Sequence, residues 1–498
     1  MLTFSFTASA QRADAGDAKE HFKFGNFNDA LKVYVKLMEK EPKNIDYPYK
    51  AGLCILFTAR DKNEAVKYLE KAAERKSDPD VYFYLGKAYH LVLKLDEALT
   101  ALEKYKSLGE GTKQAEVDRI VEMVKNAQKQ ITSPIDVTFE NVGDKINTEH
   151  PDYYPFVTPN ESFLVFTSRR SGGKEFDGYY PSSIFYSKVS NGEFVTAKKG
   201  NTTINSSFDD QAVGLSYNAD KLYIYFDDIK HKGDIYESTI TNFKFKKKVK
   251  LEEHINSKGF ESSATISADN NTLFFASRRD GGLGGKDIYM SRKLPNGEWA
   301  EAQNLGNIIN TKYDEDFPNL FYDGSTLYFS SKGHNSIGGY DYFKSNWNAE
   351  TNTWSKPENI GYPLNTPDDN VCISFTEDKR HAYVSAWRKD SYGDQDIYKV
   401  TFNDLDARQS ILKTKIIAEG TTDPIIDAFV IVTDNRTQEE IGNYTPSSKN
   451  GGFVMILKPG SYNIFIDAPG FAPKSIDMVV KGKSDFEPFK SHKFVVTP

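Results

Sequence analysis

The segment NTKYDEDFPNLFYDGSTLYFSSKGHNSIGGYDYF, residues 310–343, decides the reading of this chain. It opens on Asn310 and passes the acids Asp314, Glu315 and Asp316. It then turns at Asp323-Gly324, enters Leu327-Tyr-Phe-Ser-Ser331, turns again through glycines and closes on Asp341-Tyr-Phe343. Copies of the pattern also begin at Asn147, Asn205, Asn256 and Asn365, at steps of 58, 51, 54 and 55 residues along the chain. Their second strands start at Leu164, Leu222, Leu273 and Ala382, and their third strands at Ile184, Asp234, Asp287 and Asp396. A period near fifty residues with four strand-sized pieces per period predicts a β-propeller. Five copies predict five blades, with six as the alternative.

A fourth strand carries Trp299 in the third repeat and Trp354 in the fourth, and no such strand follows the fifth. A matching segment, Ile135 to Gly143, stands before the first repeat instead. The expectation is that it supplies the outer strand of the last blade, closing the ring and removing strand edges that invite aggregation. This domain is expected over 134–405. Its units resemble the WD40-like repeats of secreted bacterial proteins, which the TolB propeller also carries.

N-terminal to the repeats, 12–132 reads as helical, rich in Ala, Lys, Glu and Leu and without strand-like alternation. Three units recur: Gly25, Ala30 and Tyr34; Gly52, Ala65 and Leu69; Gly86, Ala98 and Leu102. The alanines step by 35 and 33 residues, and Ser133-Pro134 ends the run. This all-α solenoid resembles the tetratricopeptide repeat family, with a capping helix near Lys113 to Gln130. The resemblance implies a concave groove for an extended peptide or helix, lined by Tyr49 and Leu53 of the second unit and by Phe83, Lys87 and His90 of the third. The other reading packs these residues against the next domain.

C-terminal to the repeats, 410–498 breaks into short strands punctuated by Pro424, Gly451-Gly452, Pro459-Gly460 and Pro469-Gly470. That rhythm predicts a small β-sandwich. The order of its motifs resembles the carboxypeptidase regulatory-like domain, the accessory part of that family and not its zinc-bearing part.

Composition narrows the function. The chain has 498 residues, 39% apolar and 27% charged, with 34 Phe and 29 Tyr, which favours globular sheet. A net charge of -7 argues against nucleic acid as a partner. No apolar run reaches transmembrane length. Cys54 and Cys372 fall in different expected domains and have no metal-ligand spacing. The first residues, 1–11, read as a signal-peptide remnant ending in Ala8-Ser9-Ala10, although a frayed terminus without a signal would read the same. No cysteine near the start indicates a lipid anchor.

Catalytic patterns are missing. There is no zinc-binding HExxH helix and no GxSxG elbow. Gly284-Gly285-Lys286-Asp287 opens a strand rather than a helix, so it reads as a turn. The recurring acids Asp209-Asp210, Glu261, Asp314 to Asp316 and Asp368-Asp369 are expected on one rim, either capping loop backbone or forming an acidic ring or cation site. Capping is the favoured reading. Arg169-Arg170, Arg278-Arg279 and Arg388-Lys389 either pair with blade acids or bind an anion. No catalytic residue, metal ligand or cofactor site is assigned.

The domain order as a whole resembles the PorE-like periplasmic proteins of the type IX secretion system. The resemblance implies a non-catalytic scaffold in the periplasm, associated with the outer membrane and serving protein secretion or gliding. Implied partners are outer-membrane proteins of the PorP/SprF type. An OmpA-like peptidoglycan-binding domain usually follows in that family; here the sequence ends at Pro498, so any peptidoglycan link is expected through a partner. The alternative is a TolB-like or glycan-binding module of the envelope, which should show an aromatic-lined pocket at one channel mouth. A propeller enzyme is the third class.

Overall fold

The computed structural model describes residues 14–75, 78–109, 112–227, 233–377, 379–403, 410–435, 438–480 and 489–497. The expected signal-peptide remnant at 1–11 and the expected domain end at 405 lie outside the described residues.

Seven helices among the described residues open the fold: α1 (14–23), α2 (Phe27–Lys40), α3 (Asp46–Leu56), α4 (Lys62–Ala73), α5 (Pro79–Leu91), α6 (Leu95–Ser107) and α7 (Gln114–Gln130). Asn26, Asp61 and Asp78 cap the N-termini of α2, α4 and α5 by accepting from the N–H of Asp29, Asn63 and Asp80. The recurring glycines set the hairpin spacing. A Cβ on Gly52 would lie 2.7 Å from Leu69 Cγ of α4, and one on Gly86 would lie 2.8 Å from Leu102 Cγ of α6. α7 buries Val117, Val124 and Ala127 in a cluster with Leu102 and Tyr105 of α6. No helix among the described residues is long and apolar enough to cross a membrane.

Five antiparallel sheets follow. Their three long strands are Asp152–Val157, Phe163–Ser168 and Ser183–Ser190 in the first; Asp209–Leu215, Lys221–Asp227 and Asp234–Thr241 in the second; Glu261–Ile266, Thr272–Ser277 and Asp287–Arg292 in the third; Glu315–Leu320, Thr326–Ser331 and Asp341–Asn348 in the fourth; and Ile373–Phe375, His381–Ala386 and Asp396–Phe402 in the fifth. In the first four sheets the outer position holds only two-residue pairings, such as Gln303–Asn304 and Thr353–Trp354. Trp299 forms a lone bridge to Lys293 rather than part of a strand. The fifth sheet differs. Its outer strand is Val137–Asn141, paired antiparallel with Asp396–Phe402 so that Phe139 faces Val400. The segment expected to close the last sheet does so.

Four of the five innermost strands share an irregularity. Register shifts fall between Tyr153 and Phe156, Ala212 and Gly214, Glu261 and Ser263, and Asp316 and Asn319. Tyr154, Phe317 and Cys372 take φ of 53°, 46° and 65° there. In the second sheet the bulge carries Gly214, where a Cβ would stand 1.9 Å from Ala264 O of the next sheet. Such bulges bend a strand and increase its twist. A cavity of about 50 Å³ is lined by Phe156, Leu215, Ile266, Leu320 and Phe375, one from each innermost strand, so the sheets surround one axis.

Helices and sheets belong to one compact unit, Met1–Phe402, whereas the sequence boundary at 132–134 divides them. Asn403–Pro498 is a second unit. It stacks a three-stranded sheet (Gly452–Leu457, Ser410–Ala418, Phe489–Val496) on a four-stranded one (Glu440–Tyr444, Phe429–Asp434, Gly460–Asp467, Lys474–Val480). Ile416, Met455 and Phe494 of the first meet Val430, Val432, Ile464 and Ile466 of the second in one core. That is a small sandwich.

Candidate functional site: the cleft between the helices and the sheets

The loops that open each repeat build the floor of the site. Asn147 donates from Nδ2 to Ile397 O at 2.9 Å and accepts at Oδ1 from Ile397 N at 2.8 Å. Asn205 makes the same pair with Ile184, Asn256 with Ile235, Asn310 with Ile288 and Asn365 with Tyr342. Each asparagine therefore ties the start of one sheet to the third strand of the sheet before it, and Asn147 does so between first and last.

The recurring acids are committed to the same loops. Asp152, Asp210, Glu261 and Glu315 accept from the N–H of Thr148, Ser206, Ser257 and Thr311, each four residues earlier, and Asn370 does so from Thr366. Asp209, Asp314 and Asp369 accept the N–H of Ser182, Lys286 and Tyr340, which belong to preceding sheets. Asp316 accepts from Ser262 and Ser263 and is paired with Lys286. Capping is thus the geometry of Asp209, Asp210, Glu261, Asp314, Glu315 and Asp369. Among the described residues no group of three or more His, Cys, Asp or Glu side chains could hold a metal ion.

The arginines pair internally as well. Arg170 contacts Asp152, Ser168 Oγ and Ile146 O and lies over the rings of Phe166 and Phe185. Arg279 repeats this with Ser277, Ile255 O, Phe275 and Tyr289. In the fourth repeat His334 takes the place, its Nε2 2.9 Å from Ile309 O and its ring near Phe329 and Phe343. Burial holds His334 below its ordinary pKa. Without a guanidinium nearby, burial raises the Glu315 carboxyl to about 7.

Over this floor the helices enclose a cleft of about 1200 Å³. Phe57, Lys62, Phe83, Lys87, His90 and Arg119 line it from the helical side, and Tyr313, Asp368, Asp369, Trp387 and Arg388 from the sheets. A second cavity of about 330 Å³ adjoins it at the axis, walled by Tyr153, Tyr154, Arg169, Tyr179 and Asp394. Lys62 caps the end of α3, donating to Ile55 O and Leu56 O at 3.2 Å and to Thr58 O; burial lowers its pKa against the pull of Asp368 and Asp394.

The five residues expected to line an open groove are distributed differently. Tyr49 and Leu53 are 8% and 4% exposed within the helical core, Tyr49 edge-on to Tyr84 at 6.2 Å. They reach no open groove, because α5 covers them. Phe83, Lys87 and His90 do reach the cleft, but Phe83 and His90 are only 3% and 2% exposed. Burial pushes His90 down to about 4, and its Nε2 has no hydrogen-bond partner.

Sequence reasoning missed the anchor between helices and sheets. Arg119 of α7 contacts Lys332 O, donates to Gly333 O at 3.2 Å and Ser336 Oγ at 2.6 Å, and stacks on Tyr313 at 4.5 Å. Asn126 adds a bond to Ser336 O, and Ile337 is fully buried in the cluster of α6 and α7. The signal was an aliphatic residue in the turn Gly333-His-Asn-Ser-Ile-Gly-Gly339. The equivalent Leu283, in the third repeat, is 50% exposed.

No family model matches the chain, and no curated protein matches it. Solved structures do. The putative TolB from Agrobacterium tumefaciens is 14% identical, with 53% of this chain and 97% of that one covered and a TM-score of 0.30. TolB from Acinetobacter baumannii is 15% identical over 57% and 70%, with a TM-score of 0.32. The endo-arabinase from Bacteroides thetaiotaomicron is 12% identical over 50% and 93%, with a TM-score of 0.34. At these scores none of the likenesses assigns an activity.

Proposed function

We propose that the chain is a non-catalytic scaffold of the cell envelope, a five-bladed propeller whose tetratricopeptide-like helices hold a partner polypeptide in the cleft between them. The observation that carries this reading is the cleft itself. It offers about 1200 Å³ beside a floor on which Asp210, Glu261, Arg170 and Arg279 hold loops, while Asp368 and Arg388 line the cleft itself. Ligand-sized pockets run from about 300 to 1,000 Å³ and recur at domain junctions. Aromatic rings and charges of both signs in one concavity suit an extended peptide of mixed charge. The opposite channel mouth is aromatic too, with Tyr217 and Tyr322 rings 5.0 Å apart, but its cavity of about 50 Å³ has no room for a sugar ring. In the alternative reading a glycan would instead occupy the Tyr-lined cavity of about 330 Å³ beside the cleft.

Within this reading, a periplasmic, outer-membrane-associated role in type IX secretion or gliding is the finer proposal. PorP/SprF-type proteins or other secretion and gliding components are the proposed partners, and any peptidoglycan link runs through a partner. It rests on the order of helical repeats, propeller and regulatory-like sandwich. The test is a pull-down from cross-linked envelopes. Tyr49 and Phe83 are core residues, so the variants are Lys87→Glu and Trp387→Ala, both partly exposed in the cleft. Loss of a defined envelope protein from the folded double variant supports the scaffold. Retention of every partner at the wild-type level rules the cleft out.

A further inference from the structure

The sandwich of the second unit is polarised. On the outer face of its three-stranded sheet stand Lys413, Lys415 and Lys493, all exposed, with Val454, Ile456 and Val495, 47%, 51% and 37% exposed. The register sets them in rows: Ile456 beside Ile411, Lys413 between Val454 and Ser491, Lys415 beside Lys493, and Ile417 beside Val495. The nearest acids along the strand, Glu419 and Asp423, come after its end at Ala418. The outward positions of the other sheet carry acids instead, among them Glu440, Asp467 and Asp477. Asn435 and Asn463 both bond Asp477, whereas the three lysines meet no acid among the described residues.

Like charges directly opposite on neighbouring strands destabilise a sheet. The Lys415–Lys493 pair is therefore a cost that an anionic partner would offset. Isolated lysines on a polar face would need only water. Here they alternate with branched aliphatic side chains, whose exposure water disfavours. A second copy of this face would set lysine against lysine, so self-association does not answer the pattern. A surface with negative headgroups over an apolar interior answers both halves: lysine stems lie along the aliphatic rows while ammonium groups reach the headgroups.

We infer that this face of the second unit docks on an anionic phospholipid surface, with Lys413, Lys415 and Lys493 meeting headgroups and Val454, Ile456 and Val495 entering the interface. The inference is independent of the cleft, which lies in the first unit. The test is co-sedimentation of the full chain with vesicles of phosphatidylcholine and phosphatidylglycerol in a three-to-one ratio, against phosphatidylcholine alone.

Binding to the anionic vesicles only, weakened by added salt, is the expected result. Lys413→Ser with Lys415→Ser and Lys493→Ser should weaken it by about a hundredfold, at roughly fivefold per surface lysine. Val454→Ser with Ile456→Ser should weaken it while leaving the salt dependence in place. Should the triple variant not fold, the exposed single change Lys413→Glu replaces it, with a drop of at least about fivefold expected. Equal binding to both vesicles, no binding, or wild-type binding by folded lysine variants would overturn the inference, as would saturable capture of an acidic protein in place of vesicles.

Discussion

Asn147 shows what a single residue contributes to this ring. Its amide serves both main-chain groups of Ile397, and replacing it by alanine leaves the buried Ile397 N–H without a partner, while the C=O keeps the Val142 N–H at 3.3 Å. Each such orphan costs about 1–3 kcal/mol. Asn147→Ala should therefore lower the unfolding free energy by about 1–3 kcal/mol in urea melts. Asn256→Ala should cost a similar amount, because the same geometry recurs at Ile235. His90 gives a pH-dependent expectation. Its folded-state pKa of about 4 lies below its ordinary 6.5, so the folded chain resists a proton that the unfolded chain takes up. Its contribution is thus lost as pH falls from 6.5 toward 4, and amounts to about 3 kcal/mol over that window. His90→Leu should flatten the fall, read as the difference between mutant and wild-type denaturation curves at pH 4.5 and 7. Glu315 works in the opposite sense. With its carboxyl raised to about 7 from an ordinary 4.5, its protonated folded form favours stability below pH 4.5 and loses that advantage toward pH 7.

At the scale of elements, the strand Val137–Asn141 is the clearest case. It lies far from Asp396–Phe402 in sequence yet forms the outer edge of that sheet. Deleting 134–143 should expose the main chain of Asp396–Phe402 and bring aggregation or a large drop in melting temperature, followed by light scattering during a thermal ramp. A soluble deletion variant with an unchanged melting temperature would refute the role of this strand. The helical hairpins carry a second expectation. Gly86→Val places its first carbon 2.8 Å from Leu102 Cγ, so α5 and α6 must part. Overpacking of this kind costs about 1–3 kcal/mol. The same change at the unhindered, helical Gly16, where a Cβ meets nothing within 4 Å, should cost less, and the two melting temperatures compared directly check the claim.

At the scale of the whole molecule, Arg119 and Ile337 hold the helical layer on the sheets and so keep the cleft in shape. Arg119→Ala abandons the carbonyls of Lys332 and Gly333 and uncovers Tyr313. We expect a loss of about 2 kcal/mol or more, faster proteolysis between 131 and 136, and weaker partner capture even though the residue need not touch the partner. Digestion rates of wild type and variant under native conditions measure this.

The repeat was legible because its spacing recurs. Five copies of Asn, acid loop and aromatic strand gave the strand order, the capping role of Asp210, Glu261 and Glu315, and the returning segment at 135–143, since each depends on contacts repeated from sheet to sheet. The sandwich was legible from Gly and Pro punctuation for the same local reason. Tertiary structure alone decided what covers what. Tyr49 and Leu53 fit an exposed-groove pattern by position, but their exposure depends on where α5 lies, and spacing within one helix does not encode that. Leu283 and Ile337 occupy equivalent places in sister turns, yet one is 50% exposed and the other fully buried, because α7 lies over only the second. Local sequence sets turns, caps and strand alternation through contacts a few residues apart. The cleft comes from surfaces that meet across more than two hundred residues, as Arg119 meets Lys332, and no periodicity records such a meeting.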